Sequence, residues 1–266
     1  MLSELSKHSA DVVALVRNTE TVKLASFGIE IFPFDIQAPP DNTFDRLGRP
    51  DVLIHLAWGG LPNYHSLHHL EQELPAQYNF LNELIRDGLS ALVVSGTCFE
   101  YGMQSGRIQE EMEPRPNNAY GSAKNSLRQQ LEHLKTTHPF ALTWARLFYL
   151  FGEGQAPTSL LSQLKISVER GDKTFNMSGG KQVRDYLQVT KVAKYIVMMA
   201  ISRLDIGVVN ICSGKPITIR SLVEGWIKDN GWKINLNLGY YKYPDYEPMA
   251  FWGDRRKLDR FLKDNS

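Results

Sequence analysis

Apolar residues along this chain gather in short runs that alternate with longer stretches of helical spacing. Residues 11–17 (DVVALVR) and 29–34 (IEIFPF) read as strands with a short helix between them. Residues 51–57 (DVLIHLA) are almost continuously apolar and are bounded by Pro50 and by Gly59 and Gly60. Such a run suits a strand covered on both faces. Residues 67–87 have helical periodicity and stop at Gly88, a residue suited to the left-handed position that closes a helix. A strand at 91–95, a helix at 119–135, an apolar strand at 140–151 and a strand at 208–212 complete the series. Strand, helix and strand at this spacing predict an α/β fold built on a doubly wound parallel sheet, with binding at the carboxyl ends of the strands.

The pattern loosens after about residue 151. Residues 1–156 with 183–213 are expected to form the sheet domain, and 157–182 with 214–266 a smaller substrate lobe. A chain of 266 residues with 42% hydrophobic composition can bury a core of that size. Its 30 Lys and Arg nearly cancel its 29 Asp and Glu, so no charge imbalance invites nucleic acid or a membrane surface. No apolar run reaches the ~18 residues of a membrane span, and residues 1–10 lack a signal-peptide core. A cytoplasmic protein is expected. Cys98 and Cys212, both in apolar runs, read as buried reduced thiols.

The chemistry concentrates around Tyr120 and Lys124, four apart on the expected helix and therefore on one face. An ammonium there can lower a phenol's pKa and make it a general acid/base. The pair alone is weak; its surroundings carry the case. Upstream, the strand at 91–95 runs into Gly96 and Thr97, then Cys98, Phe99, Glu100, Tyr101 and Gly102. A loop with Glu110, Glu111, Pro114, Pro116, Asn117 and Asn118 leads into the helix. In this order the sequence resembles the extended short-chain dehydrogenase/reductases, the nucleotide-sugar epimerase/dehydratase family with a Rossmann-like sheet. Thr97, Tyr120 and Lys124 fall on that family's catalytic triad. The segment from Arg146 to Gly152 resembles its Arg-x-x-Asn-x-Tyr-Gly, and Arg184-Asp185-Tyr186 its pyrophosphate-binding Arg-Asp-Tyr. Asn210 to Gly214 and Trp252 to Asp254 also have counterparts.

The departures matter as much. The family's first strand and its Gly-x-x-Gly-x-x-Gly turn, which cradle a dinucleotide pyrophosphate, have no counterpart ahead of residues 11–17. A chain starting late in a longer reading frame is the favoured explanation; a protein that no longer uses the dinucleotide is the other. Without that strand its two neighbours should be left with open edges. The resemblance assigns the remaining cofactor contacts to Arg17, Asp35, Ile36, Leu56, Ala57 and Ser95, together with Tyr120 and Lys124. Arg17 stands where NAD-preferring relatives carry an acid, so NADP(H) is expected over NAD(H). Cys98 and Phe99 replace the Asp-Glu of the 4,6-dehydratases, which argues against dehydration. Tyr149 replaces a substrate-contacting Asn of the epimerases. The tail aromatics, from Tyr240 to Trp252, are candidates for pocket lining or for packing. His65, His68 and His69 allow a metal site at i and i+4, but no acid or thiol completes it, and a polar helix start is the reading kept.

The resemblance implies an NADPH-dependent reductase of a 4-keto, 6-deoxy sugar on a nucleoside diphosphate, supplying deoxysugars for surface polysaccharide. Tyr120 donates the proton, Lys124 lowers its pKa and holds the nicotinamide ribose, Thr97 bonds the carbonyl, and Tyr149 and Arg184 hold the substrate. It also implies a homodimer through the helices at 67–87 and 119–135. A 4-epimerase that recycles its hydride, or a non-catalytic relative, are the competing expectations.

Overall fold

A computed structural model describes residues 1–17 and 29–265. The short helix expected between the first two strands, and Asn18, lie outside the described residues. The described chain opens with α1 (Leu2–Leu5), followed by β1 (Val13–Val16) and β2 (Glu30–Pro33), a parallel pair. A one-turn helix, α2 (Thr43–Arg46), leads to β3 (Val52–His55). The next helix begins as a wide π turn over His69–Glu73 and continues as α3 (Leu74–Arg86), with Pro75 at its start. Proline has no N–H to give to a normal helical turn, and the widened turn is where that donor is missing. Then come β4 (Ala91–Thr97), a 3₁₀ turn at Cys98–Tyr101, β5 (Gly106–Ile108) and α4 (Ala119–Leu134).

The apolar run at 140–151 divides. β6 (Ala141–Leu147) and β7 (Tyr149–Phe151) belong to different sheets, and the intervening Phe148 N–H bonds to the Ile211 carbonyl. After α5 (Leu160–Glu169) and β8 (Thr174–Met177), β9 (Val183–Gln188) runs directly into α6 (Val189–Ser202). The chain ends with β10 (Gly207–Ile211), β11 (Pro216–Thr218), α7 (Ile219–Asp229), β12 (Asn235–Leu238), β13 (Phe251–Gly253) and α8 (Arg256–Asp264).

The expected parallel sheet is present as β10-β6-β4-β3, covered on both faces. On one side Phe80, Leu81 and Leu84 of α3 and Leu127 and Leu131 of α4 pack with Leu92, Val94 and Trp144. On the other, Ile196 and Met199 of α6 and Leu258 and Phe261 of α8 pack with Val93, Ala145 and Val209. The terminal helix α8 therefore covers the sheet, although its sequence neighbours at 214–238 build the lobe. A third cluster of α5, β8, α7 and β12 is that lobe's core, centred on Leu164, Val223 and Trp226. Among the described residues β1 pairs with β2 and β3 with β4, so β1 and β3 each keep an open edge. Leu15 and Phe32 nevertheless pack into the cluster under α3, which holds the two-stranded pair against the main body. No described helix is long and apolar enough to cross a membrane.

The sheet's carboxyl end is tied by a buried carboxylate. Glu100, in the turn after β4, accepts from the Thr97 N–H at 2.9 Å, the Trp144 indole at 2.9 Å and Arg146 Nε at 2.7 Å. The guanidinium lies over the Tyr101 ring, and Tyr101 in turn donates to Asn210. Gly96 leaves room for this, because a Cβ there would stand 2.3 Å from the Trp144 nitrogen. Replacing Arg146 with Met strands an unpaired charge in the core and should cost about 3–5 kcal/mol in urea unfolding. The double replacement of Arg146 and Glu100 by Met is expected to recover a large part of that loss.

Candidate active site

Asn118 caps α4, its side chain accepting the Gly121 N–H at 2.8 Å, so that Tyr120 sits in the first turn and Lys124 one turn on. Gly121 lets this helix close on the Thr97 turn: a Cβ there would lie 2.6 Å from the Phe99 carbonyl. Thr97 caps the 3₁₀ turn, accepting the Phe99 N–H at 3.3 Å, while Glu100 holds its own N–H. Thr97 lies beside Tyr120 and acts to lower the pKa of its phenol. Lys124, 1% exposed, donates to the Ser95 carbonyl at 2.8 Å and lies 4.1 Å from the Trp58 ring centre.

These groups share a cleft of about 460 Å³ between the sheet's carboxyl end and the lobe. Leu56, Ser95, Thr97, Tyr120, Lys124 and Tyr149 all line it. Ala57 follows Leu56 and is exposed; Arg17, Asp35 and Ile36 are not part of the lining. Arg17 stands exposed just past β1, Asp35 caps its own turn by accepting the Gln37 N–H, and Ile36 packs against the core. Arg184 is not on the cleft wall either. It is buried one layer behind, paired at 2.7 Å with Glu247, whose other oxygen accepts the Tyr149 hydroxyl at 2.6 Å. His68 goes to Glu73 and His69 to Trp58 and Asn63. Of the tail aromatics, Phe251 lies 5.9 Å from Tyr149 and Tyr246 6.4 Å from Tyr64 between ring centres, while Tyr240 and Tyr241 are exposed.

Several contributors carried no motif. Trp58, Tyr64 and Phe99 enclose the Tyr120 ring together with His69, with centres 5.4–6.3 Å away. Gly59 and Gly60 after an apolar run mark a strand end but do not mark Trp58 as a contact. Glu247 lies 63 residues from the arginine it neutralises, a separation no local pattern reports.

Burial governs the electrostatics. It pulls the Lys124 ammonium down to about 7, against the opposing charges of Glu100 and Glu73. It pushes the Tyr120 phenol above its ordinary value, with Glu100 adding to the effect and Thr97 working against it. A phenol brought towards neutrality by Lys124 was expected, but desolvation by the aromatic enclosure dominates and the phenol stays protonated. The protein at rest thus holds a neutral proton donor beside a cation close to its titration point. A dinucleotide's nicotinamide end fits here: Ser95, Lys124, Thr97 and Tyr120 converge at the ends of β4 and α4, and the aromatic walls exclude water. The described residues contain no glycine-rich turn for the pyrophosphate end.

The family model described as NAD dependent epimerase/dehydratase family matches residues 1–212. A dTDP-6-deoxy-L-talose 4-dehydrogenase (NAD(+)) of Aggregatibacter actinomycetemcomitans is 28% identical over 255 residues, 95% of this chain and 94% of that protein. A GDP-6-deoxy-D-talose 4-dehydrogenase of the same organism is 24% identical, over 85% of this chain and 76% of that protein. The solved UDP-N-acetylglucosamine 4-epimerase of Methanobrevibacter ruminantium M1 shares the fold, with TM-score 0.82 at 19% identity over 98% of this chain and 88% of that one. Thus the chain belongs to the NAD dependent epimerase/dehydratase family, within the NAD(P)-dependent oxidoreductases of the extended short-chain dehydrogenase/reductase type.

Proposed function

We propose that this protein reduces the 4-keto group of a 6-deoxyhexose carried on a nucleoside diphosphate, with NADPH as reductant. The observation that carries the reading is the convergence of Thr97, Tyr120 and Lys124 on one wall of the cleft. A bound dinucleotide supplies the hydride. Everything else falls to the chain. Thr97, its oxygen already accepting the Phe99 N–H, has its proton to give to the substrate carbonyl. Tyr120 delivers the proton that completes the alcohol, and the Lys124 cation stabilises the phenolate left behind.

The cleft's character supports the sugar class. Lys124 is the sole charged residue among the described residues that line it, and Leu61, Phe99, Phe148, Leu160 and Trp226 supply apolar wall. A C6 methyl fits such a wall, whereas a C6 carboxylate would be left without a counter-ion of its own. A 4-dehydrogenase and a 4-keto reductase make the same bond change in opposite directions, so the names of the two talose relatives agree with this class. Tyr149 is the substrate-side hydroxyl, and Arg184 acts on it from behind through Glu247. Arg17, exposed at the end of β1, is the residue that leads to NADPH over NADH.

The test is the full chain with dTDP-4-keto-6-deoxyhexose and either NADPH or NADH. One NADPH consumed per product, with lower kcat/KM for NADH, is the expected result. Sugar turnover without net NADPH consumption would replace the reading by 4-epimerisation. Tyr120→Phe should lower kcat by about 10²–10⁴ while leaving nucleotide-sugar affinity, read by calorimetry, within about threefold. Because Lys124 is protonated below about pH 7 and neutral above, kcat/KM for reduction should fall as pH rises through that value. Lys124→Met should lower the rate and remove that limb.

A further inference from the structure

Trp58 stands between two groups that hold it from different sides. At its edge the indole N–H donates to His69 Nδ1 at 3.1 Å, and His69 Nε2 lies 2.9 Å from the Asn63 carbonyl. Nε2 must then carry the imidazole proton and Nδ1 must be bare, so the chain of bonds fixes one neutral tautomer. The π turn at His69–Glu73 puts this histidine, 0% exposed, beneath the indole. Glu73 holds the same loop from below, accepting the Gly59 N–H and the Gln77 amide, each at 2.9 Å. Trp58 is thus fixed in orientation from the backbone outward.

Its face is turned to Lys124, whose Nζ is 4.1 Å from the ring centre. A buried ammonium needs compensation, and its neighbours supply little by direct contact. The charged and titratable groups around it are His55 from β3, His69 and Glu73 from the π turn, Glu100 from the turn after β4, and Tyr120 from its own helix. Glu73 spends its oxygens on Gly59, Gln77 and His68. Glu100 spends its own on Thr97, Trp144 and Arg146. Burial drives His55 down to about 3, so it is neutral and brings no negative charge. What remains in contact is the Ser95 carbonyl on one side and the indole face on another. A cation over a tryptophan face is attracted most strongly where both are desolvated.

We propose that Trp58 is a positioning residue for Lys124, its indole face holding the ammonium in the direction the reaction uses and its N–H bond to His69 keeping that face in place. This rests on the reading of Lys124 as part of the reaction. Lys124 lines the same cleft as Tyr120, where the substrate would bind.

The experiment labels lysine side chains with ¹³C at Cε and follows Lys124, assigned by its absence in Lys124→Met. In the wild-type chain and in Trp58→Phe, the Lys124 CεH₂ signal should be displaced upfield by the ring above it. In Trp58→Leu that displacement should be lost. In the dTDP-4-keto-6-deoxyhexose assay, Trp58→Leu should lower kcat about tenfold with KM within about threefold, and move the alkaline limb to lower pH. Trp58→Phe, which keeps a face, should recover most of the loss, and His69→Ala should resemble a mild form of Trp58→Leu. An undisplaced Lys124 signal in the wild type, or wild-type kcat and pH profile in Trp58→Leu, overturns the proposal. Full activity in Lys124→Met overturns the functional reading instead, a result distinguishable because the Cε signal reports the contact without any substrate.

Discussion

The Glu100 carboxylate is the constraint on which the working end of this molecule depends. It is 0% exposed and ties the end of β4 to β6 through Thr97, Trp144 and Arg146. A buried carboxylate is tolerable only when its lone pairs are filled, and here backbone, indole and guanidinium fill them. The consequence is geometric. Thr97 cannot shift without breaking a charge-assisted bond in the core, so the hydroxyl at the cleft wall inherits the rigidity of the sheet. The same carboxylate reaches further by its field, opposing the neutralisation of Lys124 and raising the Tyr120 phenol. One residue thus sets both the position and the charge balance of the groups in front of it.

Aromatic enclosure supplies the second half of the design. Trp58, Tyr64, Phe99 and His69 surround Tyr120 and take water away from it. Desolvation keeps the phenol protonated and the amine near neutrality, an arrangement in which a proton can leave Tyr120 once charge develops nearby. Tyr149 of β7, Tyr186 of β9 and Trp226 of α7 line the same cleft.

The alternation of apolar runs made the parallel sheet legible, because strands covered on both faces carry their burial in composition. Tyr120 and Lys124 were legible for a similar reason: helical spacing puts them on one face and an Asn cap starts the helix beside them. The division of residues 140–151 was not, since Phe148 is as apolar as its neighbours and no glycine or proline marks the change of sheet. Nor could local pattern show that Arg184 is engaged by Glu247, or that α8 returns to cover the sheet. Those facts depend on contacts between distant segments, where sequence spacing carries no information. The Tyr120 phenol is raised and not acidified because desolvation, which helical spacing does not report, dominates its environment.

The break at Phe148 has a mechanical side. One residue separates β6 in the main sheet from β7 in the sheet it forms with β9 and β11, and β9 passes into α6 with none between. A joint of a single residue has two soft torsions, and Phe148 is buried with its N–H bonded to Ile211. At these two crossings little or no chain separates the main sheet from the second one. Thr97 pairs with Leu147 across β4 and β6, so a single buried joint, Phe148, separates that register from Tyr149 and sets the spacing of these two cleft residues.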